Sequence, residues 1–173
     1  MQHVMVDIET LGIKPGSVIL SIGAIDFDPH TGALGEGFYV NIDRELSKAA
    51  GLTTDTSTVN WWASQGKEAT QALLDDCKPP GTAHRTFFDW FRNVGGKYIW
   101  SHGVNFDVVL IEAVVQKLGG SVPWKFYNTR DTRTIYDVAA VTPDRAKGVH
   151  HFALDDAKRQ AEAVIKSYKV LKP

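Results

Sequence analysis

Met5-Val6-Asp7-Ile8-Glu9-Thr10-Leu11-Gly12 sets two acids into an apolar, β-branched run. Side chains alternate along a strand, so Asp7 and Glu9 share one face while Val6 and Ile8 take the other. Two carboxylates side by side at the buried centre of a sheet repel each other and lose their hydration. A divalent cation removes both penalties, and hard oxygen ligands select Mg²⁺ or Mn²⁺ over zinc. An exposed edge strand with solvated acids would look the same locally, so the rest of the chain has to decide.

Outward from this stretch, the pattern predicts an α/β fold. Val18 to Phe27 is apolar on both faces, as in a strand covered on both sides. Pro29-His30-Thr31-Gly32 is a turn, and Phe38, Val40 and Ile42 alternate as a third strand antiparallel to the second. Three strands in a meander thus open the chain. Thr58 is a fair cap for a helix carrying Trp61 and Trp62, a second helix covers 68–76, and Lys78-Pro79-Pro80-Gly81 ends it. Residues 82–94 form an amphipathic helix with Phe87, Phe88, Trp90 and Phe91 inward. Residues 97–101 form a short strand that leads through His102-Gly103-Val104-Asn105-Phe106-Asp107 into another helix, which reads as a crossover unit. Residues 123–128 are a fifth strand or an extended loop. Asp131 caps a helix over 132–141, residues 142–148 form a loop, and the last helix runs from near Ala153 towards Leu171.

Composition bounds the function. The 173 residues fit one domain, 1–173, with 43% apolar and 23% charged residues. No stretch reaches the length of a membrane span, and no basic-then-apolar leader opens the chain. The single cysteine, Cys77, excludes an internal disulfide and a cysteine-based zinc site, and a cytoplasmic setting fits. A net charge of −1 argues against gripping nucleic acid through a broad basic face. It is compatible with an enzyme that holds one strand end through metal ions and a few contacts.

Four acids belong together in this reading: Asp7, Glu9, Asp107 and Asp156. Asp107 and Asp156 each lie near a helix start, where the helix dipole favours an ionised carboxylate. His151 precedes Asp156 by five positions, about 140° apart on one helix, so the two converge only if His151 sits in the preceding loop. A loop histidine beside a metal is placed to act as a general base. His150 and Asp155 offer a second register for the same pair; the spacing favours His151 with Asp156, which also leaves Leu154 and Ala157 for the core.

Asp7-Ile8-Glu9-Thr10, Asn105-Phe106-Asp107 and His151-Phe152-Ala153-Leu154-Asp155-Asp156-Ala157 resemble, in order, the three motifs of the DEDDh 3′–5′ exonucleases of the ribonuclease H-like superfamily. The resemblance covers nearly the whole chain. It is similar in particular to the small single-domain branch that includes phage exonuclease A and the mycobacterial ribonuclease of adenylate-rich RNA, which also tends to carry a Trp-Trp helix and a Pro-Trp-Lys-Phe stretch like 123–126. It implies a ribonuclease H-like, mixed five-stranded sheet flanked by helices. It implies two Mg²⁺ or Mn²⁺ ions, Asp7 touching both, with Glu9, Asp107 and Asp156 completing the cage and His151 deprotonating the attacking water. It implies single-stranded DNA or RNA 3′ ends as substrate and nucleoside 5′-monophosphates as product. Thr10 and Leu11 would line the terminal nucleotide, with Trp62 and Asn105 as further substrate contacts. With the aromatic helix, it also makes a homodimer an expectation. The alternative is a non-catalytic nucleic-acid- or partner-binding module on the same fold; its sign would be a missing acid or histidine, and all are present.

Other residues have plainer readings. Adjacent helix positions point about 100° apart, so one of Trp61 and Trp62 belongs in the core and the other at the cleft or a partner. His84 reads as a solvated helix residue, His102 as structural, Asn105 as a helix cap as much as a ligand, and Arg130 and Arg133 as surface cations.

Overall fold

The computed structural model describes residues 1–65, 67–144 and 151–172. Strands β1 (His3–Thr10), β2 (Ile19–Phe27) and β3 (Leu34–Asn41) form an antiparallel meander. Helices α1 (Arg44–Ala49), α2 (Thr56–Ser64), α3 (Lys67–Ala72) and α4 (Pro80–Asn93) follow. Then come β4 (Tyr98–Ser101), α5 (Asp107–Lys117), a 3₁₀ turn (Phe126–Asn128), β5 (Thr129–Asp131), α6 (Thr132–Ala139) and α7 (Ala153–Leu171). The sheet order is β3-β2-β1-β4-β5, with β4 and β5 parallel to β1. This is the mixed five-stranded sheet flanked by helices that the resemblance implies.

The alternation of β1 sorts its side chains between two cores. Val4, Val6 and Ile8 pack with Phe87, Phe91, Leu110 and Ile111 of α4 and α5. Met5 faces Ala157, Ala161 and Val164 of α7. Asp7 and Glu9 continue the Met5 face, so both acids point to the α7 side of the sheet. Every residue of β2 is buried, as expected of a strand covered on both faces.

One glycine sets how closely α7 approaches. Gly23 pairs with Asp7 across the sheet. A Cβ added at Gly23 would fall inside the backbone of Ala153 and Leu154, far below van der Waals contact. Gly23→Ala is therefore expected to destabilise the fold by more than the ~1–3 kcal/mol usual for overpacking, because backbone cannot move aside as a side chain can. Denaturant unfolding checks this; an unchanged midpoint would contradict it.

Several local expectations change. The Trp61–Trp62 helix starts at Thr56 with Asp55 at its cap, so Thr58 lies inside it. Asp55 is anchored there because its N–H donates to the Leu11 carbonyl (2.7 Å) and its carboxylate accepts from the Ile13 N–H (3.0 Å). The fifth strand lies at 129–131 rather than within 123–128, where a 3₁₀ turn ends the segment. His84 is 3% exposed, not solvated. Its Nδ1 bonds the Pro80 carbonyl one turn back, at 2.7 Å, so the apolar face of α4 can enclose it. The loop predicted over 142–148 falls partly outside the described residues, and His150 wholly outside.

Candidate active site

The parallel pairing of β1 with β4 ends at Met5 and Trp100. Beyond that point the two strands no longer satisfy each other, and the Ile8 N–H donates instead to the Asp107 carboxylate. Asp107 opens α5 and is 4% exposed. On the other side, α7 crosses the sheet over Gly23 and delivers Asp156. Carboxylate oxygens of Asp7, Glu9 and Asp156 lie within 4.8 Å of one another. Asp107 stands outside that group of three, yet close enough that its charge acts on both Asp7 and Glu9.

Without a cation, the acids of the site favour their protonated forms. Burial, then the charges of Asp107 and Glu9, hold the Asp7 carboxyl well above the usual carboxylate range. Burial and the Asp107 charge push Glu9 up to about 8. Burial pushes Asp107 up to about 7, against the pull of its own N–H and that of Ile8. Half-buried and buried oxygen donors held together at this cost fit hard divalent cations. Arg159, one turn along α7, pairs with Asp156 and its charge also reaches Asp7.

These shifts fix the sign of a stability effect. Folded Glu9, Asp107 and Asp7 keep protons that the unfolded chain releases near pH 4. Their contribution is complete below that pH and is lost as pH rises towards about 8. In chelator, the melting temperature is therefore expected to fall between about pH 5.5 and 8.5. Millimolar Mn²⁺ should restore it most at the alkaline end, by about 4 °C or more, since a kcal/mol moves the midpoint of such a chain about 2–4 °C. A metal effect equal at both pH values would contradict this.

His151 lies in the turn before α7, as its spacing from Asp156 requires. Its backbone is left-handed, φ 62°, a conformation that histidine tolerates better than most side chains. Its ring meets Trp61 edge-on at 4.8 Å and Trp62 at 6.0 Å. Trp62 is 6% exposed, and its indole N–H donates to the Thr10 carbonyl at 2.8 Å. Trp62 is thus the core member of the pair, bracing the end of β1, while Trp61 is 42% exposed. Thr10 and Leu11 are buried at the same strand end, and Leu11 and Trp62 border a cavity of about 270 Å³. Asn105 is exposed in the turn before α5 and does not cap it. That turn is held by Asp131, whose carboxylate accepts from the Val104 N–H (2.8 Å) while capping α6 (2.8 Å to the Arg133 N–H). His102 is tied to the Thr132 hydroxyl at 2.9 Å, a structural role.

The motif reading missed two residues. Arg159 and Gln160 follow Asp156 by three and four positions, so they share its helix face. Gln160 Nε2 donates to Asp7 Oδ1 at 2.7 Å. The helical period alone could have pointed to both.

Residues 2–168 match the Rv2179c-like 3′–5′ exoribonuclease domain. The chain belongs to that family. This Rv2179c-like domain is a 3′–5′ exonuclease. It is 24% identical over 172 residues to an exodeoxyribonuclease of Enterobacteria phage T4, covering 81% of this chain and 73% of the phage protein. Its fold is shared by solved nuclease structures. One is the nuclease domain of 3′hExo, a DEDDh family member, bound to rAMP (TM-score 0.63, 14% identity, 96% of this chain and 91% of that one). Another is E. coli ExoI in a zinc-bound complex with single-stranded DNA (TM-score 0.66, 16% identity, 99% of this chain and 41% of that one). No helix among the described residues of the Rv2179c-like domain is long and apolar enough to cross a membrane.

Proposed function

We propose that residues 1–173 act as one exonuclease domain that removes nucleoside 5′-monophosphates from the 3′ end of single-stranded DNA or RNA. The convergence of Asp7, Glu9 and Asp156 within 4.8 Å, on a sheet whose first and last motifs are far apart in the chain, carries this reading. Asp7 would touch both of two Mg²⁺ or Mn²⁺ ions, and Glu9, Asp107 and Asp156 would complete the cage. Bound there, such ions polarise the scissile phosphate and offset charge on the leaving 3′ oxygen.

The chain's own groups do the rest. The acids, uncompensated, would repel the phosphate, so binding of cations and of substrate are linked. His151 accepts the proton of the attacking water on an imidazole nitrogen, from a turn braced by Trp61 and Trp62. Leu11 packs on the terminal base or sugar, and Thr10 contributes a backbone contact. Trp62 supports that contact from beneath through the Thr10 carbonyl. Asn105, exposed beside Asp107, is in reach of the strand that leads into the site.

Matched DNA and RNA oligonucleotides, labelled at either end and incubated with Mg²⁺ or Mn²⁺, test the proposal. Stepwise shortening from the 3′ end with mononucleotide release is the expected result. No shortening of either strand with either metal would end it. Sedimentation of the same sample tests the homodimer expected from the aromatic helix.

A further inference from the structure

Gln160 is 9% exposed and lies on α7 one helical turn after Asp156. Its Nε2 donates to Asp7 Oδ1 at 2.7 Å, joining residues 153 positions apart. Its own main chain is pinned from α6, because the Tyr136 hydroxyl donates to the Gln160 carbonyl at 2.8 Å. The second amide atom, Oε1, is buried with no hydrogen-bond partner among the described residues. It is bonded to the same carbon as Nε2, so it lies within an amide's width of Asp7. A buried acceptor left unpaired costs free energy, which marks the place as one where a donor is missing.

We infer that Gln160 is a positioning residue that sets the orientation of the Asp7 carboxylate for cation binding. The inference rests on the exonuclease reading above. One hydrogen bond to Oδ1 restrains rotation of the carboxylate and leaves its other lone pairs for a cation shared with Glu9 and Asp156. A neutral amide is the side chain the place requires. A carboxylate there would add a negative charge to an already repelling cluster, and an ammonium would compete with the cation. Oε1 then serves as the acceptor for a water that enters with the ion. Partners of this kind fix the geometry of metal-binding carboxylates, and losing one typically weakens metal binding about 10- to 100-fold.

The test is calorimetric titration of the full chain with Mn²⁺, without nucleic acid, for the wild type, Gln160→Met and Gln160→Ala. Methionine keeps the volume and the helix, and alanine serves as the second variant if methionine does not fold. The Mn²⁺ dissociation constant should rise about 10- to 100-fold in the folded variants. Their melting temperatures in chelator should stay near the wild-type value. In turnover assays, the Mn²⁺ concentration for half-maximal rate should rise, while KM for the oligonucleotide at saturating Mn²⁺ is unchanged. A dissociation constant within twofold of wild type overturns the positioning role and leaves the exonuclease reading standing. A wild-type chain that binds no Mn²⁺ overturns that reading, and this inference with it.

Discussion

Asp7→Asn is expected to lower 3′-end degradation by at least about 10²–10³-fold, the scale of losing one preorganised electrostatic contact, and more if both ions depend on it. The same change should raise the melting temperature of the cation-free protein at pH 8. The two effects have one cause. Asp7 is half-buried, partly stripped of water, and faces the charges of Asp107 and Glu9. Asparagine removes a carboxyl from that cluster while keeping an oxygen for the Gln160 N–H, so repulsion drops and the fold gains. The site meanwhile loses the ligand proposed to serve both ions. Activity is followed by product release from an end-labelled oligonucleotide, and stability by thermal melting in chelator. Retention of wild-type turnover would remove Asp7 from the proposed machinery.

His151→Asn is expected to slow turnover by about 10²–10⁴-fold, the usual worth of a positioned general base, while Mn²⁺ binding stays near the wild-type value. Asparagine is the informative replacement because it also tolerates the left-handed backbone found at this position, φ 62°. The loss then reports on the imidazole rather than on a remodelled turn. Single-turnover rates at saturating metal separate this from a binding defect, since a base acts on the chemical step and leaves substrate affinity in place. If the variant loses metal affinity in step with rate, His151 belongs with the site's geometry instead of its proton chemistry.

Much of the fold was legible because its signals are local. The alternation of Val6, Asp7, Ile8 and Glu9 assigns each side chain to a face of β1 without any neighbour being known. The unbroken apolar run of β2 announces cover on both sides, and α7 begins at Ala153 as its apolar stripe predicts. Local rules failed where a distant segment intervened. Asp55 replaces Thr58 as the start of α2 because the chain around Leu11 and Ile13 holds it. His84 has a polar side chain on an otherwise amphipathic helix, and only the packing of α4 against the sheet encloses it.

By itself the sequence determined which residue types could gather a cation, the order of the three acidic segments along the chain, and the strand and helix ends on which they sit. Those properties follow from backbone periods of two and 3.6 residues, which a chain carries wherever it goes. Only the tertiary structure decided that α7 crosses so near Gly23 that Asp156 reaches Asp7 and Glu9, that Trp62 turns inward while Trp61 stays at the surface, and that Gln160 holds Asp7. These are distances between segments remote in the chain, set by how closely one backbone can pass another, and no repeat within a single segment encodes them.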